Sequence, residues 1–104
     1  MPYTVIFTPE ALEQLAALYQ YISAAASPEI ADRYTSAIIS YCEGLQTFPH
    51  RGSRRDDLRV GLRITNYKKR VVISFVVDDS LISIIGLFYG GRDYATVLLS
   101  DPDE

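Results

Sequence analysis

The chain has 104 residues, 48% of them hydrophobic, with a formal net charge of -3 and a pI of about 5.0, which fits one compact domain and leaves no room for two. A single cysteine (Cys42) and a single histidine (His50) exclude an intrachain disulfide and a structural zinc site. No apolar run approaches the ~18 residues that span a bilayer, and no basic leader precedes the first apolar residues, so the expectation is a soluble, unsecreted protein in a reducing cytoplasm.

In chain order, residues 3–7 (YTVIF) alternate Tyr3, Val5 and Phe7 on one face, as a short strand does. Thr8-Pro9-Glu10 then supplies an N-cap oxygen, a proline at the first helical position and an acid in the first turn. Leu12, Leu15, Tyr19 and Ile22 follow at helical spacing; Leu18 and Tyr21 lie off that stripe, suggesting a helix that serves both the core and a partner. Ser27-Pro28-Glu29 repeats the start signal, and Ile30, Tyr34, Ala37, Ile38, Tyr41, Leu45 and Phe48 continue the helical period until Pro49. The short connection predicts a helical hairpin.

Beyond Pro49 the helical period is lost. Residues 50–57 read as a loop, and Leu58, Val60, Leu62 and Ile64 alternate with Arg59, Gly61 and Arg63, which predicts a strand with both arginines on its outer face. Asn66 reads as the start of a turn; residues 70–77 (RVVISFVV) and 81–88 (LISIIGLF) read as buried strands joined at Asp78-Asp79-Ser80. The order β-α-α-β-β-β predicts an α+β fold, a helical hairpin packed on an antiparallel sheet, in a single domain over 1–104 with a frayed acidic tail from about 95.

Charge is distributed unevenly. Residues 51–70 hold Arg51, Arg54, Arg55, Arg59, Arg63, Lys68, Lys69 and Arg70 against Asp56 and Asp57 alone, a local +6, whereas the flanking segments are both acidic. Such a segment attracts anionic partners even in an acidic protein. The competing reading is that Arg59 and Arg63 simply pair with Asp56, Asp57 or an acid on a helix. No phosphate-binding loop, dinucleotide fingerprint, zinc-protease motif or nucleophile elbow is present. Cys42 and His50 lack a third catalytic member, so the cysteine reads as a packed hydrophobe. Tyr19, Tyr34 and Tyr41 read as core tyrosines on helical stripes, while Tyr89 and Tyr94 flank the terminal Gly90-Gly91-Arg92-Asp93.

Several pieces in order carry a resemblance: FTPEALEQL opening the first helix, GLQTFPHRG closing the second, LRVGLR followed by Tyr67, Val77-Asp78 before ISII, and the terminal GGRDY. From about Phe7 to Tyr94 the chain resembles the RelE/ParE superfamily of type II toxin-antitoxin toxins, and its ParE branch most. That resemblance implies a cytoplasmic toxin, a cognate ParD-like antitoxin wrapped around its helices and sheet in a hetero-oligomer, contact with DNA only through that antitoxin, and DNA gyrase as the target. It implies no cofactor, metal, membrane or small-molecule ligand. ParE-like members are held to poison gyrase through a binding surface without catalysis; the RelE branch consists of ribosome-dependent mRNA interferases with acid/base groups. Many relatives carry histidine before the glycine of the terminal motif, where this chain has Tyr89, which weighs toward the ParE reading. The expected contact surface for target or antitoxin combines Arg54, Arg59, Arg63 and Arg92 with Tyr89, without a catalytic residue.

Overall fold

The computed structural model describes residues 3–68 and 70–89. Strand β1 (Thr4–Phe7) leads into α1 (Pro9–Ala25) and α2 (Pro28–Glu43), followed by a 3-10 turn (Gly44–Gln46), β2 (Ser53–Arg54), β3 (Leu62–Tyr67), β4 (Val71–Asp78) and β5 (Leu81–Tyr89). Both helix starts form as their sequences dictate: Thr8 Oγ1 accepts from the Ala11 amide at 3.2 Å and Ser27 Oγ from the Ile30 amide at 3.1 Å, with a proline opening each helix. Only Ala26 and Ser27 separate the helices, so they fold back on each other as a hairpin. Among the described residues no helix is long and apolar enough to cross a membrane.

The five strands form one sheet in the order β1-β5-β4-β3-β2. Four of them pair antiparallel, but β1 runs parallel to β5, from Thr4↔Leu81 to Phe7↔Ile84, a departure from the expected all-antiparallel sheet. Parallel neighbours require a long crossover, which everything between Thr8 and Ser80 provides. The core lies between one sheet face and the helices. Val71, Ile73 and Phe75 of β4 and Ile82, Ile84 and Leu87 of β5 meet Ala11, Leu15, Leu18 and Ile22 of α1 and Ala31, Ile38 and Cys42 of α2. Phe75 is fully buried, an environment in which truncation of an aromatic ring costs about 3–5 kcal/mol.

The buried helical stripes are rotated from those read in the sequence. Leu18 belongs to the core and Leu12 is half exposed; on α2, Ala31, Thr35, Ile38 and Cys42 are buried while Ile30 is exposed, and the helix ends at Glu43, short of the expected Pro49, leaving Phe48 exposed beyond the 3-10 turn. Small residues set this rotation: Ala11 and Ala31 let the backbones approach the sheet, and Thr35 is buried at little cost because its hydroxyl donates to the Ala31 carbonyl at 2.9 Å. Hydropathy alone favours the larger side chains, which here stay at the rim.

The expected strand at 58–64 also requires correction. Residues 55–61 form a closed turn, in which the Leu58 and Arg59 amides bond the Arg55 carbonyl, the Leu62 amide bonds the Arg59 carbonyl, and Asp56 Oδ1 accepts from the Gly61 amide at 2.9 Å. Gly61 turns the chain at φ +81° into β3, which begins at Leu62 and continues through Asn66 to Tyr67. Val60 is therefore 86% exposed instead of core-facing. Ser53 and Arg54, expected in the loop, pair with Ile64 and Arg63 as a short edge strand.

Candidate functional site

The basic segment is held together largely by its own charges. Arg54 lies against Asp56, with Nη2 to Oδ2 at 3.0 Å and Nε to Oδ2 at 3.1 Å, and Arg55 grips both oxygens of Asp57 at 3.0 Å. The amide of Gly61, followed by Arg54, holds the Asp56 carboxyl below the usual carboxylate range; the hydrogen bond from Arg55 does so first for Asp57. Internal pairing thus applies to Arg54 and Arg55, and it staples the turn.

Arg63 is placed by the register of β3. Its cross-strand partner is the buried Phe75, so it projects on the helix-facing side of the sheet and not on the outer face expected from alternation. There its guanidinium donates to the backbone carbonyls of His50, Arg51 and Gly52. It is a clamp on the segment that follows α2. Arg59 differs: it is exposed at the tip of the turn beside Val60, and among the described residues its side chain has no hydrogen bond or ion pair. A cavity of about 240 Å³ lies between His50, Arg54, Gly61 and Arg63.

Tyr89 is not part of this cluster. It ends β5 opposite Val71, which pairs in turn with Tyr67, four residues along β3 from Arg63. At about 3.3 Å per residue that is about 13 Å along the strands, with two strand spacings across them. Arg54, Arg59 and Arg63 therefore occupy one end of the sheet and Tyr89 the other; Arg92 lies outside the described residues.

A row of aromatic rings connects the two ends, which no single helical stripe revealed. Tyr21 meets Tyr89 at 5.9 Å between centroids, Tyr89 meets Tyr34 at 6.3 Å, Tyr34 meets Tyr67 at 6.1 Å and Tyr67 meets Tyr41 at 5.4 Å. Arg51 then lies over the Tyr41 ring at 5.3 Å and the Phe48 ring at 5.2 Å. The Tyr41 hydroxyl shares a 3.0 Å hydrogen bond with Thr65. Among the described residues the buried Tyr34 hydroxyl has no hydrogen-bond partner, and burial, reinforced by Tyr89, raises its pKa.

Beside Tyr89 is a groove of about 520 Å³ between α1 and β5, walled by Gln14, Leu18, Tyr21, Val71, Leu87 and Tyr89. The position of Leu18 and Tyr21 off the expected stripe is the sequence signal for it. Chemically, the described surface offers guanidinium donors, exposed apolar side chains and an aromatic cleft. Cys42 is fully buried, with its thiol pushed up to about 12 by burial, whereas His50 is exposed. No group of three His, Cys, Asp or Glu side chains among the described residues is placed to hold a metal ion.

Comparison with known proteins agrees with this architecture. A solved structure described as the chromosomal ParDE TA system from P. aeruginosa is similar in fold, with a TM-score of 0.73 and 22% sequence identity over 84% of this chain and 95% of that one. No curated protein matches the chain in sequence. The profile of the family described as ParE toxin of type II toxin-antitoxin system, parDE, matches residues 5–94. With that match spanning both helices and every strand but for the first residue of β1, the chain belongs to the ParE toxin family of type II toxin-antitoxin systems.

Proposed function

We propose that the protein is a cytoplasmic toxin that inhibits DNA gyrase without catalysing a reaction, and that a cognate ParD-like antitoxin neutralises it by direct binding in a hetero-oligomer. The observation that carries this reading is the basic turn itself. Its arginines are engaged in holding a fixed backbone, and its tip presents Arg59 next to the 86% exposed Val60. That is a preformed patch suited to recognition, since arginine makes planar, bidentate contacts with carboxylate or phosphate. Target contact is assigned to the end of the sheet bearing Arg54, Arg59 and Arg63. Antitoxin contact is assigned to the groove at Tyr89, with Arg92 adjoining it in sequence. A gyrase supercoiling assay with the purified chain tests the reading: inhibition with accumulation of cleaved DNA is expected, and unaffected supercoiling without cleaved DNA rejects it.

One observation favours a second reading. His50 lines the same small cavity as Arg54 and Arg63, a combination of a titratable ring with charge stabilisation at a phosphate. On that reading the activity is ribosome-dependent mRNA cleavage, and new codon-positioned 5′ ends in translating extracts, lost in His50→Ala, would establish it.

A further inference from the structure

The segment that leaves α2 is stiffened from three directions. The Arg51 amide donates to the Phe48 carbonyl at 3.2 Å, closing a turn whose second position is Pro49, where the fixed φ of proline suits it. Behind the turn, Arg63 holds the carbonyls of His50, Arg51 and Gly52. The Tyr41 ring under Arg51 is itself anchored by its hydroxyl to Thr65. On this rigid backbone two groups keep the capacity to bind. Phe48 is 58% exposed. Arg51 spends its flat face on the Tyr41 and Phe48 rings, while among the described residues its guanidinium N–H groups have no hydrogen bond or ion pair. Asp56 and Asp57 compensate Arg54 and Arg55, whereas Arg51, Arg59 and Arg63 have no ion pair among the described residues. A cavity of about 420 Å³ is lined by Thr47, Phe48, Pro49, His50 and Arg51, and His50 also lines the smaller cavity beside Arg54 and Arg63, so the two adjoin.

We infer that this surface binds single-stranded DNA directly: an unstacked base lies on Phe48, its phosphate is gripped by Arg51, and the strand continues toward Arg63 and Arg59. An exposed ring beside an uncompensated guanidinium is the pairing that single-strand binders use, the ring stacking any base and the cations tracking the backbone. An acidic peptide would satisfy the arginines but offers Phe48 no planar partner. A duplex offers phosphates but keeps its bases stacked away from the ring. The choice of DNA rests on the gyrase reading proposed above, in which cleaved DNA accumulates and its ends expose unstacked bases. The inference departs from the expectation that DNA is met only through the antitoxin.

The test uses the full-length chain and, as probe, a fluorescent thymidine oligonucleotide of about 15 nucleotides, long enough to cross one such site, followed by anisotropy. The single strand is expected to bind at least about fivefold tighter than a duplex of the same length, although charge attraction alone favours the duplex with its denser phosphates. Phe48→Ala is expected to weaken single-strand binding at least about tenfold while duplex binding and the thermal midpoint stay unchanged, and Phe48→Trp to bind as wild type does. Arg51→Gln is expected to reduce the dependence of log affinity on log salt by about 0.7, the loss of one phosphate contact on a single strand. Duplex bound as tightly as single strand, Phe48→Ala at wild-type affinity, or no binding to either, overturns the site. So does displacement of the oligonucleotide by poly-glutamate at equal charge, which assigns the surface to an acidic peptide. A uridine oligoribonucleotide bound at least about tenfold tighter than the DNA overturns the assignment to DNA and favours the mRNA reading. The gyrase reading is decided separately by the supercoiling assay: inhibition there by a chain that binds no single strand overturns this inference alone.

Discussion

Arg63 Nη2 donates to the carbonyl of Gly52 at 3.3 Å, and the same guanidinium reaches the carbonyls of His50 and Arg51, so one β3 side chain fixes the backbone that leaves α2. Arg63→Ala is expected to lower stability by about 1–2 kcal/mol, since hydrogen bonds from a charged donor are lost at a partly exposed site. Arg63→Lys should recover only part of this, because an ammonium cannot reproduce the planar fork. Denaturant midpoints measure both.

Gly52 and Gly61 make a matched pair for the neighbouring backbone. Each sits at φ +81°, but a Cβ on Gly52 would lie 2.2 Å from the Ile64 carbonyl oxygen, whereas on Gly61 it would meet only Val76 Cγ1 at 3.6 Å. Gly61→Ala is expected to cost about 1–2 kcal/mol, the strain of a left-handed backbone. Gly52→Ala should cost clearly more, at least about 3 kcal/mol, because the β2–β3 pairing must also open. Equal losses in chemical denaturation would contradict the close approach.

Two tyrosines in one row should respond oppositely to loss of the hydroxyl. Tyr34→Phe removes a buried hydroxyl that has no partner among the described residues and is expected to leave stability unchanged or raise it. Tyr41→Phe breaks the 3.0 Å bond to Thr65 and should cost about 1 kcal/mol. Thermal midpoints of the two variants decide it.

Asp56 and Asp57 tie the turn's integrity to pH. Both folded-state pKa values lie below the ordinary 3.8, so their contribution is present above that value and is lost as pH falls from it through the lower folded values. Stability followed from about pH 5 to about pH 2 should therefore decline. Asp56→Asn is expected to flatten that decline; an identical profile would show that the carboxylate does not close the turn.

The Cys42 thiol, buried and pushed up to about 12, should resist alkylation in the native protein at pH 8 or so. Labelling is expected to appear only with unfolding. Rapid native labelling would show that the α2 core opens locally.

Arg59→Glu tests the proposed target patch. The side chain is exposed, so stability should stay within about 0.5 kcal/mol of wild type while gyrase inhibition falls by at least about tenfold. Inhibition at wild-type strength would remove Arg59 from the contact surface.

Elements governed by neighbours within one helical turn were legible without coordinates. Thr8-Pro9-Glu10 and Ser27-Pro28-Glu29 start helices because cap, proline and acid each act on the same first turn. β4 and β5 could be read from unbroken apolar runs, and the order of motifs carried the family. Residues 58–61 read as strand because Leu58, Val60 and Leu62 alternate, while Asp56 closing on Gly61 five residues away outweighs that pattern.

The amino-acid sequence by itself determined the helical hairpin, the antiparallel core of the sheet, the concentration of positive charge between 51 and 70 and the family. Only the tertiary structure decided that β1 docks parallel to β5, that Arg63 turns inward to bind carbonyls, that Tyr89 stands at the opposite end of the sheet from the arginines, and that a groove opens beside it. The physical reason is separation along the chain. Caps and periodicity are set by residues a few positions apart, whereas the partners of Arg63, Tyr89 and Leu87 lie 11 to 73 residues away and meet only once strand register has placed them.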